Sequence, residues 1–407
     1  MDVRITPKKL SGKVKAKPSK SQAHRIIFAS ALSFGQKTTI HNVDFSKDIE
    51  ATVSCVSKFG VECSYEKNTK TLTVDSKLNV AKDIVFDCFE SGSTMRFLLG
   101  IASALGIEAT FVGHGKLPTR PFDDLANTMS DNGVEFSNTN KMPFSIKGKL
   151  KSGIYTLPGN VSSQFITSLL LALPLTDGNS EIVLTTKLES KPYVDMTIDV
   201  LKKFSVNIER TKKGYFIKGG QAYKSQGEYT VEGDYSNAGF WVCANALGSQ
   251  IEIDGLCDDS LQGDKAVVDI CESYKQNENI TIDAVDIPDL VPVLAVTACG
   301  RTNITKFDNV ARLRIKECDR LDATTKLITA LGGQACFDDN SLTVVGAGKL
   351  KGGEIDSFND HRIAMAAAIG ATICTEAVTI KDAGAVSKSY PDFFEDYNNL
   401  GGHADVI

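Results

Sequence analysis

The segment Ser19-Lys-Ser-Gln-Ala-His-Arg25 runs straight into an apolar stretch that begins at Ile26, and this junction of polar turn and apolar run decides the fold. Five further copies read Ser91-Gly-Ser-Thr-Met-Arg96, Ser162-Ser-Gln164, Asp234-Tyr-Ser-Asn237, Ile287-Pro-Asp289 and Asn359-Asp-His-Arg362. The runs after them begin at Phe97, Phe165, Phe240, Leu290 and Ile363, at intervals of 71, 68, 75, 50 and 73 residues. A period of this kind is an internal repeat. Each turn reads as a helix N-terminus, which carries unsatisfied N–H groups and the positive end of the helix dipole. Six such ends aimed at one place would make a strong anion site.

A second periodic signal lies between the first. Phe59-Gly-Val-Glu-Cys63, Asn132-Gly-Val-Glu-Phe136 and Phe204-Ser-Val-Asn-Ile208 each start an alternating strand, followed after a polar turn by Thr71-Leu-Thr-Val74, Phe144-Ser-Ile146 and Tyr215-Phe-Ile217. Leu331-Gly-Gly-Gln-Ala335 with Leu342-Thr-Val-Val345 is a further copy. Before the hairpins lie amphipathic stretches such as Phe122 to Met129 and Val194 to Phe204. Each repeat thus reads as a βαβαββ unit with right-handed parallel crossovers. The fold class is α/β, six units in two domains of three, with a boundary near Gly233. The short interval between Phe240 and Leu290 implies a trimmed or missing hairpin near Asn277 to Ile282.

Bulk composition excludes several classes. The chain has 407 residues, 42% hydrophobic and 23% charged, with a net charge of -5, which offers no general attraction to nucleic acid or anionic membrane. Ten Cys without a C-x-x-C pair, and an N-terminus without an apolar signal core, read as reduced thiols in a cytoplasmic protein. The longest nearly apolar stretch, Ile363 to Cys374, is too short to span a bilayer. No phosphate-binding P-loop is present, and Gly113-His-Gly115 lacks the third glycine of a dinucleotide fingerprint. The five His show no ligand spacing, so neither a metal nor a cofactor is expected.

The chemistry-bearing residues sit at the helix starts. Lys20, Ser21 and Arg25 place an ammonium, a hydroxyl and a guanidinium on one entry turn, suited to phosphate or carboxylate oxygens; a capped helix with solvated charges is the alternative. Gly92 allows close backbone approach of a ligand, or tight packing. Ser162, Ser163 and Gln164 offer neutral donors, or an N-cap. Further cations recur at turns: Arg120, Lys316, Arg320, Arg362 and Lys388. Two carboxylates stand among them. Asp289 reads as an N-cap or a base, and Glu317 as an ion-pair partner or an acid.

Taken together, Pro18-Ser-Lys-Ser-x-x-x-Arg25, Arg314-x-Lys-Glu-x-Asp-Arg-Leu321, Asp360-His-Arg362 and Lys388-x-x-Pro-Asp392 resemble the 5-enolpyruvylshikimate-3-phosphate synthase family, in order and over the whole chain. The resemblance implies an enolpyruvyl transferase fold of two domains, 13–232 and 1–12 plus 233–407, with the active site in the cleft between them. It implies a monomer without a cofactor that binds neither nucleic acid nor membrane. Its substrates would be phosphoenolpyruvate and shikimate 3-phosphate, together carrying roughly five to six negative charges.

By the same resemblance, Lys20, Ser21, Arg25, Ser162, Ser163, Gln164, Ser190, Asp289 and Lys316 would hold shikimate 3-phosphate, with Tyr193 near the acceptor ring. Lys20, Gly92, Arg120, Gln164, Arg320, Arg362 and Lys388 would hold phosphoenolpyruvate. Asp289, Glu317 and Lys20 would be catalytic: Asp289 as base, Glu317 as acid once substrate anions offset the surrounding cations, and Lys20 stabilising charge at the bridging oxygen. The chain departs from the family pattern at Phe89-Glu90, where Gly-Asn is usual, at Phe97, where Pro is common, and at Arg312, often Asn. Glu90 puts a carboxylate near the expected phosphoenolpyruvate pocket, or pairs with one of the arginines. The competing functions are UDP-N-acetylglucosamine enolpyruvyl transferase, whose Lys-Asn start and Cys loop are missing here, and a non-catalytic phosphate-binding module.

Overall fold

Polar turns become helix starts where a short side-chain oxygen can replace the missing backbone acceptor. In the computed structural model, which describes residues 1–77 and 84–407, the six turns open helices α1 (Lys20–Ala31), α2 (Gly92–Leu105), α3 (Ser163–Ala172), α4 (Tyr235–Ala246), α5 (Val291–Ala298) and α6 (His361–Ala371). Ser19, Ser91, Ser162, Asp234 and Asp360 cap five of them by accepting a backbone N–H of the first turn. The exception is α5, which starts instead with Pro292 in its first turn, where no N–H is missed. All six are buried on nearly every face, mostly by apolar residues, with polar ones such as Gln22, His24 and Arg25 buried in the first turns of α1. The spacing of α2 and α3 is set by Gly100, where an added Cβ would stand 2.6 Å from the Ser168 carbonyl oxygen.

The residues divide into two units, Pro18–Glu232 and Met1–Lys17 with Gly233–Ile407, each with its own apolar core. In the first unit, α2 connects the parallel strands Ile84–Asp87 and Ala109–Val112. The helix Asp123–Ser130 then leads to the antiparallel hairpin Val134–Phe136 and Phe144–Gly148. The second hairpin strand returns beside the crossover pair, so the sheet order follows the chain as one, two, four, three. The sheet of Ile154–Leu157, Ser180–Leu184, Gly214–Ile217 and Ile208–Arg210 repeats this order around α3. The strand expected from Phe204 starts only at Ile208, because Ser205 turns the chain through a left-handed conformation with φ 63°. Around α1 the opening strand is Glu228–Thr230, from the far end of the unit, paired parallel with Lys37–His41.

The second unit has the same sheet of four around α5, from Ile280–Asp283, Ile304–Asp308, Ser341–Val345 and Gln334–Phe337. Around α6, the strands Gly353–Asp356 and Val378–Lys381 are joined by Val3–Thr6, which pairs antiparallel with both Val378–Lys381 and His403–Val406. The 50-residue interval also has a physical form. After α4, the strand Gln250–Asp254 and the short helix Val267–Ser273, the chain enters Ile280–Asp283, the opening strand of the next repeat. Among the described residues no hairpin intervenes; Gln250–Asp254 pairs instead with Ser11–Lys15, in parallel. That ladder runs from Ser11↔Gln250 to Lys15↔Asp254, so residues 13–17 belong here and the chain first crosses between units at Lys17–Pro18, later than the boundary expected after residue 12.

All ten cysteines carry free thiols, and most are buried. Among the described residues no helix is long and apolar enough to cross a membrane.

Candidate active-site residues in each unit

In the unit 18–232, the turn before α1 places Lys20 at the first helical position, where its ammonium pairs with Asp48 at 2.6 Å. The Asp48 carbonyl in turn accepts from the Thr94 hydroxyl at 3.4 Å, which ties the Lys20 turn to the first turn of α2. Arg25 is turned inward. Its guanidinium donates to the Ser21 carbonyl at 2.6 Å, the Thr197 hydroxyl at 2.8 Å and the Tyr193 carbonyl at 3.0 Å, and burial lowers its pKa to about 10. Two of its five N–H groups thus anchor α1 to the helix Lys191–Lys203, which Ser190 precedes in a left-handed conformation, φ 52°, while a third bonds back within α1.

The turn at Gly92 shows why no larger residue stands there. An added Cβ would lie 2.6 Å from Arg96 Nη1 and 3.0 Å from Arg120 Nη1. Two buried guanidiniums therefore reach the first residue of α2, where backbone N–H groups are unsatisfied. Arg96 donates to Gln164 Oε1 at 2.6 Å and to the Pro121 carbonyl at 2.8 Å, while Gln164 donates to the Ser93 hydroxyl at 2.9 Å. Gly92, Arg120 and Gln164 are thereby brought together, with Arg96 as an added member. Its spacing was legible, since a side chain four residues into a helix points back at the first position. Ser162 serves as the cap of α3, accepting from Gln164 N at 3.3 Å, and Ser163 follows it, buried. The Glu90 carboxylate lies against Gly115, where an added Cβ would meet Glu90 Cδ at 2.5 Å.

In the other unit the centre is Arg320, 1% exposed at the first position of the helix Arg320–Ala330. Its planar fork donates to three carboxylates at once: Asp360 at 2.7 and 3.2 Å, Asp289 at 2.7 Å and Glu317 at 2.8 Å. Asp360 is fully buried and also caps α6 through Arg362 N at 2.8 Å. Asp289 is not an N-cap. Its carboxylate faces Arg320, with Lys316 Nζ at 3.5 Å and Arg362 Nη2 at 3.7 Å. Burial pushes the Asp289 carboxyl up, but Lys316, Arg320 and Arg362 outweigh it and hold the group well below the usual carboxylate range.

Arg362 also donates to the Ser236 carbonyl at 2.8 Å, and Lys388, buried, donates to the Asn359 carbonyl at 2.7 Å. Burial lowers the pKa of Lys316. Arg312 is pinned to the Val285 carbonyl at 2.6 Å. Around Arg320, three carboxylates thus stand beside the cations Lys316, Arg320 and Arg362, a nearly balanced cluster rather than a bare cationic one.

Such an arrangement can hold a carboxylate ionised as a base and keep a second one, Glu317, within reach of the same arginine. The sequence pattern of the EPSP synthase family, 3-phosphoshikimate 1-carboxyvinyltransferase, matches residues 5–397. Proteins named 3-phosphoshikimate 1-carboxyvinyltransferase are similar along their whole length: that of Clostridium novyi (strain NT) at 44% identity over 99% of this chain and 98% of its own, and that of Clostridioides difficile (strain 630) at 41% over the same shares. Among solved structures, EPSP synthase from Acinetobacter baumannii superposes with a TM-score of 0.83 at 23% identity, covering 100% of both chains. The enolpyruvyl transferase NikO from Streptomyces tendae does so with 0.79 at 18%, covering 99% of this chain and 98% of its own. At such identities the structures speak for the fold.

Proposed function

The chain belongs to the EPSP synthase family, the 3-phosphoshikimate 1-carboxyvinyltransferases, and we propose that the two residue clusters carry the reaction of that family as follows. The enolpyruvyl group of phosphoenolpyruvate passes to the 5-hydroxyl of shikimate 3-phosphate, and phosphate is released. Asp289 takes the proton of the attacking hydroxyl as a bond forms to C2 of phosphoenolpyruvate, and Glu317 delivers a proton to the methylene carbon. The tetrahedral adduct then loses a proton from the new methyl group, and the C–O bond to phosphate breaks as the double bond returns. Lys20 stabilises the charge that develops on the bridging oxygen.

Shikimate 3-phosphate is held by Lys20, Ser21, Arg25, Ser162, Ser163, Gln164, Ser190, Asp289 and Lys316. Phosphoenolpyruvate is held by Lys20, Gly92, Arg120, Gln164, Arg320, Arg362 and Lys388. The observation that carries this assignment is the Arg320 hub, which binds base and acid to one guanidinium. A substrate anion that competes for Arg320 loosens its hold on Glu317, so proton delivery is coupled to binding. The enzyme acts as a monomer in the cytoplasm, in keeping with its free thiols.

The test is phosphate release from phosphoenolpyruvate with shikimate 3-phosphate and, separately, with UDP-N-acetylglucosamine as acceptor. Release with the first alone is expected. Release only with the UDP-sugar, or with neither, would overturn the assignment.

A further inference from the structure

The turn before α4 matches no ligand-binding role in the motifs, yet side chains from a later turn clamp it. Gln262 accepts from Tyr235 N at 3.0 Å and donates to the Gly233 carbonyl at 2.7 Å. Two residues on, in the short turn Gly263–Ala266, Asp264 is 3% exposed and accepts the hydroxyl of Ser236. The carbonyl of that same Ser236 accepts Arg362 Nη1 at 2.8 Å, and the other end of the guanidinium stands 3.7 Å from Asp289. A buried carboxyl is therefore joined through one serine to an arginine that faces the base.

We propose that Asp264 is a positioning residue of this reaction: through Ser236 it fixes the carbonyl that aims Arg362, and its charge competes with phosphoenolpyruvate for that guanidinium. The inference rests on the reading that Arg362 holds phosphoenolpyruvate. The charged groups that reach Asp264 are Asp289 and Asp234, which disfavour its ionisation, and Arg362, which favours it along with the Ser236 hydroxyl. The neighbouring Lys265 turns its ammonium to the Asp258 carbonyl. Burial first, and then the charge of Asp289, push the Asp264 carboxyl up to about 7. Below that pH Asp264 is neutral and Arg362 is offset by Asp289; above it a second carboxylate draws on the same guanidinium, and the pull on a substrate anion weakens.

The experiment measures KM for each substrate and kcat between pH 5.5 and 9, chosen as about 1.5 to 2 pH units on either side of the titration, in the intact protein and in Asp264→Asn, Asp264→Ala, Ser236→Ala and Arg362→Lys. KM for phosphoenolpyruvate should rise above neutral pH in the unaltered protein, and Asp264→Asn, which keeps an acceptor but carries no charge, should flatten that rise. Ser236→Ala should raise it about 3- to 10-fold at every pH, the worth of one buried hydrogen bond, and Asp264→Ala should do so below neutral pH while flattening the rise above it, with KM for shikimate 3-phosphate little changed in both. A role in folding alone would lower the melting temperature without a selective effect on phosphoenolpyruvate. If Arg362→Lys raises KM for phosphoenolpyruvate while the Asp264 and Ser236 variants follow the unaltered protein at every pH, the coupling is wrong. If Arg362→Lys itself leaves that KM unchanged, the assignment of Arg362 fails instead.

Discussion

Replacing Arg320 by Lys keeps the charge and removes the geometry. The guanidinium, 1% exposed, makes four hydrogen bonds of 2.7 to 3.2 Å to Asp289, Glu317 and Asp360, and an ammonium on a single stem cannot meet three carboxylates lying in one fork. Asp360, fully buried, loses its closest partner. The charge stays, so the cost is that of the hydrogen bonds lost to buried ionised acceptors, about 1.5–3 kcal/mol each and roughly 3–5 kcal/mol together. In a unit of this size each kcal/mol lowers the melting temperature by about 2–4 °C, so the transition of the unit 1–17 and 233–407 should fall by roughly 6–20 °C.

Differential scanning calorimetry at neutral pH reads this directly. The sign with pH also follows. The Asp289 carboxyl is depressed in the folded protein, so its share of the stability is present above its ordinary value of 3.8 and lost as pH falls below it. The gap between Arg320→Lys and the unaltered protein should therefore narrow below about pH 4. A melting transition within about 1 °C of the original at neutral pH would refute the hub as a stabilising element.

Three further outcomes test the chemistry. Asp289→Asn should lower kcat by about 100- to 10,000-fold, the usual worth of a general base, with far smaller changes in substrate dissociation constants measured by calorimetry. Gly92→Ala should raise KM for phosphoenolpyruvate by about tenfold with a smaller effect on kcat, because a Cβ 2.6 Å from Arg96 Nη1 and 3.0 Å from Arg120 Nη1 forces both guanidiniums to move; steady-state kinetics decides it. Arg96→Leu should leave Gln164 Oε1 and the Pro121 carbonyl without their donor, and so lower the melting temperature by several degrees, about 1–3 kcal/mol, as well as weaken phosphoenolpyruvate binding.

Much of this was legible in the chain. Ser19, Ser91 and Asp360 announced helix starts because a cap acts on its own next turn, and the hairpins followed from alternation over a few residues. Lys316, Glu317 and Arg320 stood in one run, so their proximity needed no tertiary information. Asp48 was missed because its partner Lys20 lies 28 residues away on another helix, and Asp264 because its turn carries no recognisable motif. Asp289 read equally as an N-cap or a base, and only the fold shows its carboxylate turned to Arg320 rather than to its own helix.

Sequence by itself determined the repeat, the α/β class and the inventory of cations and carboxylates, since each depends on local spacing, capping and side-chain chemistry. Only tertiary structure decided which charges meet. Arg320 and Asp360 are forty residues apart, Arg362 and Ser236 more than a hundred, and Val3–Thr6 completes a sheet begun at Gly353. Those pairings arise when helices with apolar faces bury one another and bring their polar first turns into contact, a consequence of packing that no short window of residues contains.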